Sequence, residues 1–298
     1  MVSVRDIREN GVIAKLFLPN TSEPRHAIIV LHGSCGGFYE TVAQIFAQEG
    51  YVALALAYFN ADGAPKNLEN IPLEYFLNAI RWLRIQPCVK SKQIHLYGVS
   101  RGGELAVLLA STFPNEISSI VAVVPSSVTY GGVPNEEMPS WTLNGNPLPI
   151  APSPSREDEY KQLETRKSVN LTKLFLGKMY NNKEDFNKAM INVENTRSPM
   201  LLISGKDDKI WPSSLYCDLI MQRLNACNSR IIREHLSYDN AGHMILHSLA
   251  PIMTEPQQHP VIGLLYEVGG NPIAQASANK DSWGKILHFF ANFSQEFR

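Results

Sequence analysis

The chain has 298 residues, 44% hydrophobic and 18% charged, with a formal net charge of −1. That composition supplies ample material for a core, and no apolar stretch is long enough to span a bilayer. Lys and Arg are scattered, so no basic stripe points to a nucleic-acid partner.

Met1 to Asn10 carries Arg5, Asp6, Arg8 and Glu9 and no apolar run, so a secretory leader is not expected. The four cysteines, Cys35, Cys88, Cys217 and Cys227, show no C-x-x-C spacing, and a reducing, cytoplasmic setting is the expectation. His243 and His247 stand four apart, but no Glu lies between them and Pro251 follows soon after. Neither a metal nor a cofactor is expected.

In chain order, Val12 to Leu18 alternates apolar and polar residues and reads as an edge strand. Ala27 to Leu31 is wholly apolar, as in a buried parallel strand. Tyr39 to Gln48 reads as a helix stopped by Gly50, and Tyr51 to Ala57 as a second buried strand. Leu73, Phe76, Leu77, Ile80 and Leu83 mark one helix face, ended by Pro87. Strands follow at Ile94 to Val99, Ile117 to Val124, Met200 to Ile203 and Ile231 to Glu234, with helices at Glu104 to Ser111 and Ser213 to Leu224. Trp283, Ile286, Leu287 and Phe290 mark a C-terminal helix. Alternating strands and helices predict an α/β fold: a mostly parallel central sheet with helices on both faces. No internal repeat is visible, and one domain over 1–298 is expected, since α/β chains of this length are often single. From about Ser126 to Ser198 the chain is rich in Pro, Gly, Asn and charge, with weak helical patterns near Lys161 and Phe186. So long a stretch between core strands is rarely plain loop, and it is expected to form a lid over the C-terminal edge of the sheet.

The run Gly98-Val99-Ser100-Arg101-Gly102 sits between a strand and an Ala/Leu-rich helix. That is the context of a nucleophile elbow, which exposes the Ser100 hydroxyl on strained backbone. The following helix aims its N-terminus and the Arg101 N–H at the place where an oxyanion would form. A nucleophilic serine needs a base and an acid that orients the base, here in the chain order Ser, acid, His. After the Met200 strand come Asp207 and Asp208, and after the Ile231 strand comes Gly242-His243. His243 is therefore the expected base and Asp208 the preferred acid, with Asp207 its competitor. Gly242 is expected to let the loop turn so that the ring reaches inward. His95, inside a strand, reads as a packed residue.

The loop His32-Gly33-Ser34-Cys35-Gly36-Gly37 follows the Ala27 strand and fits the second oxyanion donor, supplied by Ser34 or by Cys35. It lacks the Lys of a P-loop and the spacing of G-x-G-x-x-G. No base pairs with Cys35 by chain order, so it is not read as the nucleophile. Gly33 and Gly36 in this loop, and Trp211 beyond Asp208, are the candidate substrate contacts.

These residues resemble the C-terminal catalytic domain of the acyl-CoA thioesterase / bile acid-CoA:amino acid N-acyltransferase family, within the α/β-hydrolase superfamily. The resemblance runs from about Gly11 to Phe290. It rests on the His32 to Gly37 loop, Ala55-Leu56-Ala57-Tyr58-Phe59, Pro72 to Phe76, Gly98 to Glu104, Ser204 to Asp208 with Trp211-Pro212-Ser213, and Ala241-Gly242-His243. Gly269-Gly270-Asn271-Pro272 leading to Asp281-Ser282-Trp283 extends it. The resemblance implies an α/β-hydrolase fold, an acyl-CoA substrate, and a triad of Ser100, Asp208 and His243 that forms an acyl-enzyme. Thioesterase members use Ser at the nucleophile and the amino-acid transferases use Cys, so Ser100 favours hydrolysis over aminolysis. Mammalian members carry a β-sandwich before this domain, whereas the first buried run here already begins at Ala27. A carboxylesterase or dienelactone-hydrolase-like enzyme acting on small esters is the alternative, and an inactive binding domain is the rival from another class. Lys66, Lys206 and Lys209 are the basic residues expected near the mouth. The oligomeric state is not legible.

Overall fold

A computed structural model describes residues 2–294, apart from the side chains at 91 and 92. The chain opens with strands β1 (Ser3–Glu9), β2 (Val12–Leu18) and β3 (Arg25–Leu31), then helix α1 (Glu40–Gln48) and β4 (Val52–Leu56). The two-residue β5 (Ile71–Pro72) leads into α2 (Leu73–Arg84), followed by β6 (Val89–Val99), α3 (Arg101–Thr112) and β7 (Ser119–Val123). Between β7 and the next long strand lie β8 (Trp141–Leu143), β9 (Asn146–Pro147), α4 (Arg156–Leu163), α5 (Leu171–Asn181) and α6 (Lys183–Lys188). The remainder comprises β10 (Met200–Gly205), α7 (Ser213–Ala226), β11 (Arg233–Tyr238), β12 (Gln257–Gln258), β13 (Leu265–Tyr266) and α8 (Pro272–Phe293).

Eight strands form one sheet in the order β1-β2-β4-β3-β6-β7-β10-β11. The contacts of β3 with β4 and β6, of β6 with β7, and of β10 with β7 and β11 are parallel. The pairings of β1 with β2 and of β2 with β4 are antiparallel.

Successive side chains on a strand face opposite sides of the sheet, so an apolar run must be covered twice. In β3, Ala27, Ile29 and Leu31 enter the core that also holds Phe76, Ile80 and Leu83 of α2, Leu105 to Ala110 of α3, and Cys217 and Ile220 of α7. Ile28 and Val30 enter the opposite core with Val42 and Phe46 of α1 and Trp283, Ile286 and Phe290 of α8. Each large side chain buried in this way contributes roughly 1.5–3 kcal/mol. Helix α3 is buried from Arg101 to Ser111, which explains its apolar character all round.

Three expectations need correction. Strand β2 is not the edge, because β1 pairs along its whole length. The β1 run escaped notice since only Ile7 in it is buried. The last long strand is Arg233–Tyr238, two residues beyond the expected start, and Ile232 is 62% exposed. Helix α8 begins at Pro272, well before Trp283, with the Asn271 side chain accepting from Ala274 N and Pro at the first helical turn. Among the described residues no helix is long and apolar enough to cross a membrane.

His95 on β6 is fully buried, its Nδ1 2.8 Å from Ser119 Oγ, as its reading as a packed residue expects. Burial, reinforced by nearby His26, lowers its pKa from 6.5 to about 3. Between those values the unfolded chain binds a proton that the folded chain refuses, so this contribution to stability is complete above pH 6.5 and is lost as pH falls toward 3. Thermal melts should therefore drop between pH 7 and pH 4, and less steeply in His95→Asn; parallel profiles for the two proteins would contradict the assignment.

Candidate active site

The loops that follow β3, β6, β10 and β11 gather at the carboxyl edge of the parallel strands, where α/β sheets place ligands. After β6, Ser100 has φ 56° and ψ −119°, a conformation that costs a non-glycine residue roughly 1–3 kcal/mol. Neighbouring backbones hold it there. Ser100 N donates to Val123 O at 2.8 Å, and Ser100 O accepts from Glu104 N at 2.9 Å. A Cβ on Gly98 would lie 2.0 Å from Gly102 O, and one on Gly102 would lie 2.3 Å from Leu31 O. Both glycines of the elbow are thus required by close approach of β6, α3 and β3. The first N–H groups of α3, beginning with Arg101, have no acceptor within the helix and lie beside Ser100.

The His243 ring is 7% exposed overall and stands edge-on to Trp211, 6.0 Å between centroids. Its Nε2 is 3.1 Å from Ser100 Oγ and its Nδ1 is 2.8 Å from Asp208 Oδ2. A carboxylate only accepts, so Nδ1 carries the proton and Nε2 is left to accept from Ser100. Asp208 is 3% exposed and also accepts from Ile210 N at 2.9 Å, Trp211 N at 3.2 Å and Ser213 Oγ at 2.6 Å. Asp207 points elsewhere, pairing with Lys209 and accepting from Gly270 N at 2.8 Å.

The loops that carry these groups pack backbone against backbone. A Cβ on Gly242 would lie 2.2 Å from Gly269 O, and one on Gly205 would lie 2.3 Å from Ala241 O. Gly242 therefore serves contact rather than an unusual turn, since its φ is not positive. His243 N donates to Val268 O at 2.8 Å, and Gly242 N donates to Gln275 Oε1 of α8 at 2.8 Å.

The loop after β3 lies against the elbow: a Cβ on Gly33 would stand 3.3 Å from Ser100 Cβ. Ser34 and Cys35 line a cavity with Ser100. Gly36 does not border it. Its φ is +65°, and a Cβ there would lie 2.8 Å from Asn60 and from Phe59. Trp211 borders the site and donates from Nε1 to Val124 O at 2.9 Å. Lys66 is exposed, and Lys206 and Lys209 are paired with Asp239 and Asp207; none of the three lines a cavity at Ser100.

Two cavities meet at Ser100, sharing Ser34, Ile210, His259 and Tyr266 as walls. The smaller, about 120 Å³, is walled by Tyr130, Val133, Leu171, Phe175 and Trp211, most of them from the 126–198 segment. The larger, about 290 Å³, is walled by Tyr39, Val99, His243, Met244, Leu246 and Pro260. Arg101 ties the elbow to the 126–198 segment. Its guanidinium donates to Glu104 Oε2 at 2.6 Å, to the carbonyls of Tyr130 and Gly131 at 3.0 Å each, and to Ser140 Oγ. Glu104 accepts from Trp141 Nε1 at 2.8 Å. The sequence reading used only the Arg101 N–H and missed this tie. It also missed His259 and Tyr266, which lie in a stretch without periodicity.

A doubly covered parallel sheet with a strained serine at a strand–helix elbow defines the fold as that of the α/β hydrolases. Solved structures agree on the fold. A dienelactone hydrolase-like promiscuous phosphotriesterase from metagenomic libraries superposes with TM-score 0.59 at 16% identity, covering 99% of each chain. The esterase Pf2001 from Pyrococcus furiosus superposes with TM-score 0.56 at 14% identity, covering 99% of this chain and 92% of that one. The chain belongs to the BAAT / acyl-CoA thioester hydrolase C-terminal family, whose model matches residues 71–295. It is 32% identical over 289 residues to mouse acyl-coenzyme A thioesterase 2, mitochondrial, covering 95% of this chain and 59% of that protein. It is 33% identical over 290 residues to mouse acyl-coenzyme A thioesterase 1, covering 95% and 64%. The chain thus spans about three-fifths of the length of these relatives.

The contrast between the two aspartates is open to test with a fluorophosphonate probe, which labels an activated serine. Asp208→Asn should slow labelling of Ser100 by about 10³-fold or more, because the imidazole loses its tautomer. Asp207→Asn should change it by less than about tenfold. The reverse order would mean that the other carboxylate orients His243.

Proposed function

We propose that this chain is a serine hydrolase that cleaves acyl thioesters, converting an acyl-CoA to free acid and CoA through an acyl-enzyme on Ser100. The observation that carries the reading is the line Asp208–His243–Ser100, with contacts of 2.8 and 3.1 Å, at the junction of two cavities. Membership of a family whose relatives are named acyl-coenzyme A thioesterases supports the thioester as substrate.

Ser100 Oγ attacks the thioester carbonyl carbon and passes its proton to His243 Nε2. The carbonyl electrons collect on oxygen, where the Arg101 N–H and the Ser34/Cys35 loop hold them; losing one such donor raises the barrier by about 3–4 kcal/mol. The C–S bond then breaks and the thiolate takes the proton from His243. Water, deprotonated by His243, attacks the acyl ester and returns the Ser100 hydroxyl. Asp208 keeps the imidazole in the accepting tautomer and stabilises the imidazolium.

The base that protonates the leaving thiolate must border it. His243 lines the larger cavity and not the smaller, so the leaving group occupies the larger and the acyl chain the smaller. The 126–198 segment then acts as a lid that sets acyl length. A dry cavity of about 150 Å³ holds a benzene-sized group, so about 120 Å³ suits an acyl chain of about four to six carbons.

Two results are expected from acyl-CoAs of graded length compared with p-nitrophenyl esters of the same acids. First, kcat/KM peaks at about four to six carbons and is abolished in Ser100→Ala, which keeps its fold. Second, Phe175→Ala, which opens the smaller cavity, moves the optimum to longer chains. Ester turnover with no preference for the CoA thioester would assign the chain as a carboxylesterase instead, and an unmoved optimum in Phe175→Ala would reverse the two cavities.

A further inference from the structure

His259 lies in the turn between β12 and β13, on the wall shared by both cavities, and its Nε2 is 2.8 Å from Ser34 Oγ. Which partner donates is decided on the other side of the ring. Nδ1 is 3.2 Å from the backbone N of Val261 and 3.2 Å from that of Ile262, and both are N–H donors. Nδ1 must therefore be the accepting nitrogen, and the neutral ring carries its proton on Nε2. Nε2–H then donates to Ser34 Oγ, which leaves the Ser34 hydroxyl proton to be given to a third group. The ring is held in place by the turn itself, in which His259 N donates to Leu264 O at 2.9 Å and Gly263 N donates to His259 O at 2.7 Å. Protonating Nδ1 would break both of its bonds, and burial together with the Arg156 charge lowers the His259 pKa to about 4. The ring stays neutral at neutral pH.

Ser34 follows Gly33, at which a Cβ would stand 3.3 Å from Ser100 Cβ, and borders both cavities. We propose that the Ser34 hydroxyl, turned by His259, donates to the oxyanion formed on Ser100 as a side-chain donor beside the backbone N–H groups, with His259 as its positioning residue. The inference rests on Ser100 being the nucleophile. A hydroxyl that receives a hydrogen bond from an imidazole N–H is a stronger donor than an isolated one, because hydrogen bonds in a chain polarise one another. It gains most when the carbonyl oxygen becomes an alkoxide, so its contribution falls on the transition state rather than on substrate binding.

The test is a set of variants assayed at saturating and limiting acyl-CoA. Ser34→Ala should lower kcat by about 10- to 100-fold with KM nearly unchanged, a fraction of what loss of a main oxyanion donor costs. Ser34→Thr, which keeps the hydroxyl, should recover most of that loss. His259→Phe should lower kcat by a similar factor, and His259→Gln, which retains an N–H donor, by less. In the double variant Ser34→Ala/His259→Phe the second change should cost nothing further, because His259 acts through Ser34. If Ser34→Ala keeps wild-type kcat while Ser100→Ala abolishes turnover, or if the two losses multiply in the double variant, the proposal is wrong and the nucleophile assignment stands. If Ser100→Ala retains turnover, the underlying reading itself fails and this proposal with it.

Discussion

At the end of β6 and the start of α3 two backbones come so close that a methyl group on Gly98 would lie 2.0 Å from the carbonyl oxygen of Gly102. No side chain fits between them, and the chain turns from strand to helix within the space of Ser100. The strain at Ser100 is held by bonds to Val123 and Glu104, with β3 pressed against Gly102 from the other side. Because α3 starts at once, its free N–H groups arrive beside Ser100 without any loop to position them. Glycines repeat the device at the loops that carry Asp208 and His243. Gly205, Gly242 and Gly269 let the Asp207-Asp208 loop, the His243 loop and the approach to α8 pack backbone to backbone. The distances from His243 to Ser100 and to Asp208 thus follow from main-chain contact.

A second constraint joins the elbow to the walls of the smaller cavity. Arg101 and Glu104 form a buried ion pair, which is costly unless the remaining donors and acceptors are used. Here they are largely used: Arg101 reaches two carbonyls and Ser140, and Glu104 accepts from Trp141. Burial still pushes the Glu104 carboxyl upward against the pull of Arg101. Arg101, the residue after Ser100, therefore ties the elbow to the 126–198 segment through its guanidinium. The smaller cavity and the Ser100 elbow are built as one unit.

Much of this was legible in the chain because periodicity and chain order carry it. The wholly apolar runs at Ala27 and Val52 read as doubly covered strands, and they are. Ser100, Asp208 and His243 fall after strands in an order that one topology brings to one edge. What escaped did so for physical reasons. Strand β1 buries only Ile7, so no alternation marks it. The apolar pair Ile231-Ile232 attracted a strand that lies in the more polar Arg233–Tyr238, half-buried at the sheet edge. The start of α8 was written in Asn271-Pro272, a cap followed by proline, but the apolar face farther on drew attention away from it. His259 carries no local signal at all. Its partner Ser34 is 225 positions away, and only the folded chain brings the two within hydrogen-bond distance.

The central claim is a covalent acyl group on Ser100, and mass spectrometry of the protein quenched during turnover of a short acyl-CoA tests it most directly. The account predicts a mass increase equal to the acyl group less one hydrogen, mapped to the peptide containing Ser100 and absent from Ser100→Ala. Turnover without any adduct in wild-type protein under single-turnover quench, or an adduct mapped to Cys35, would contradict it.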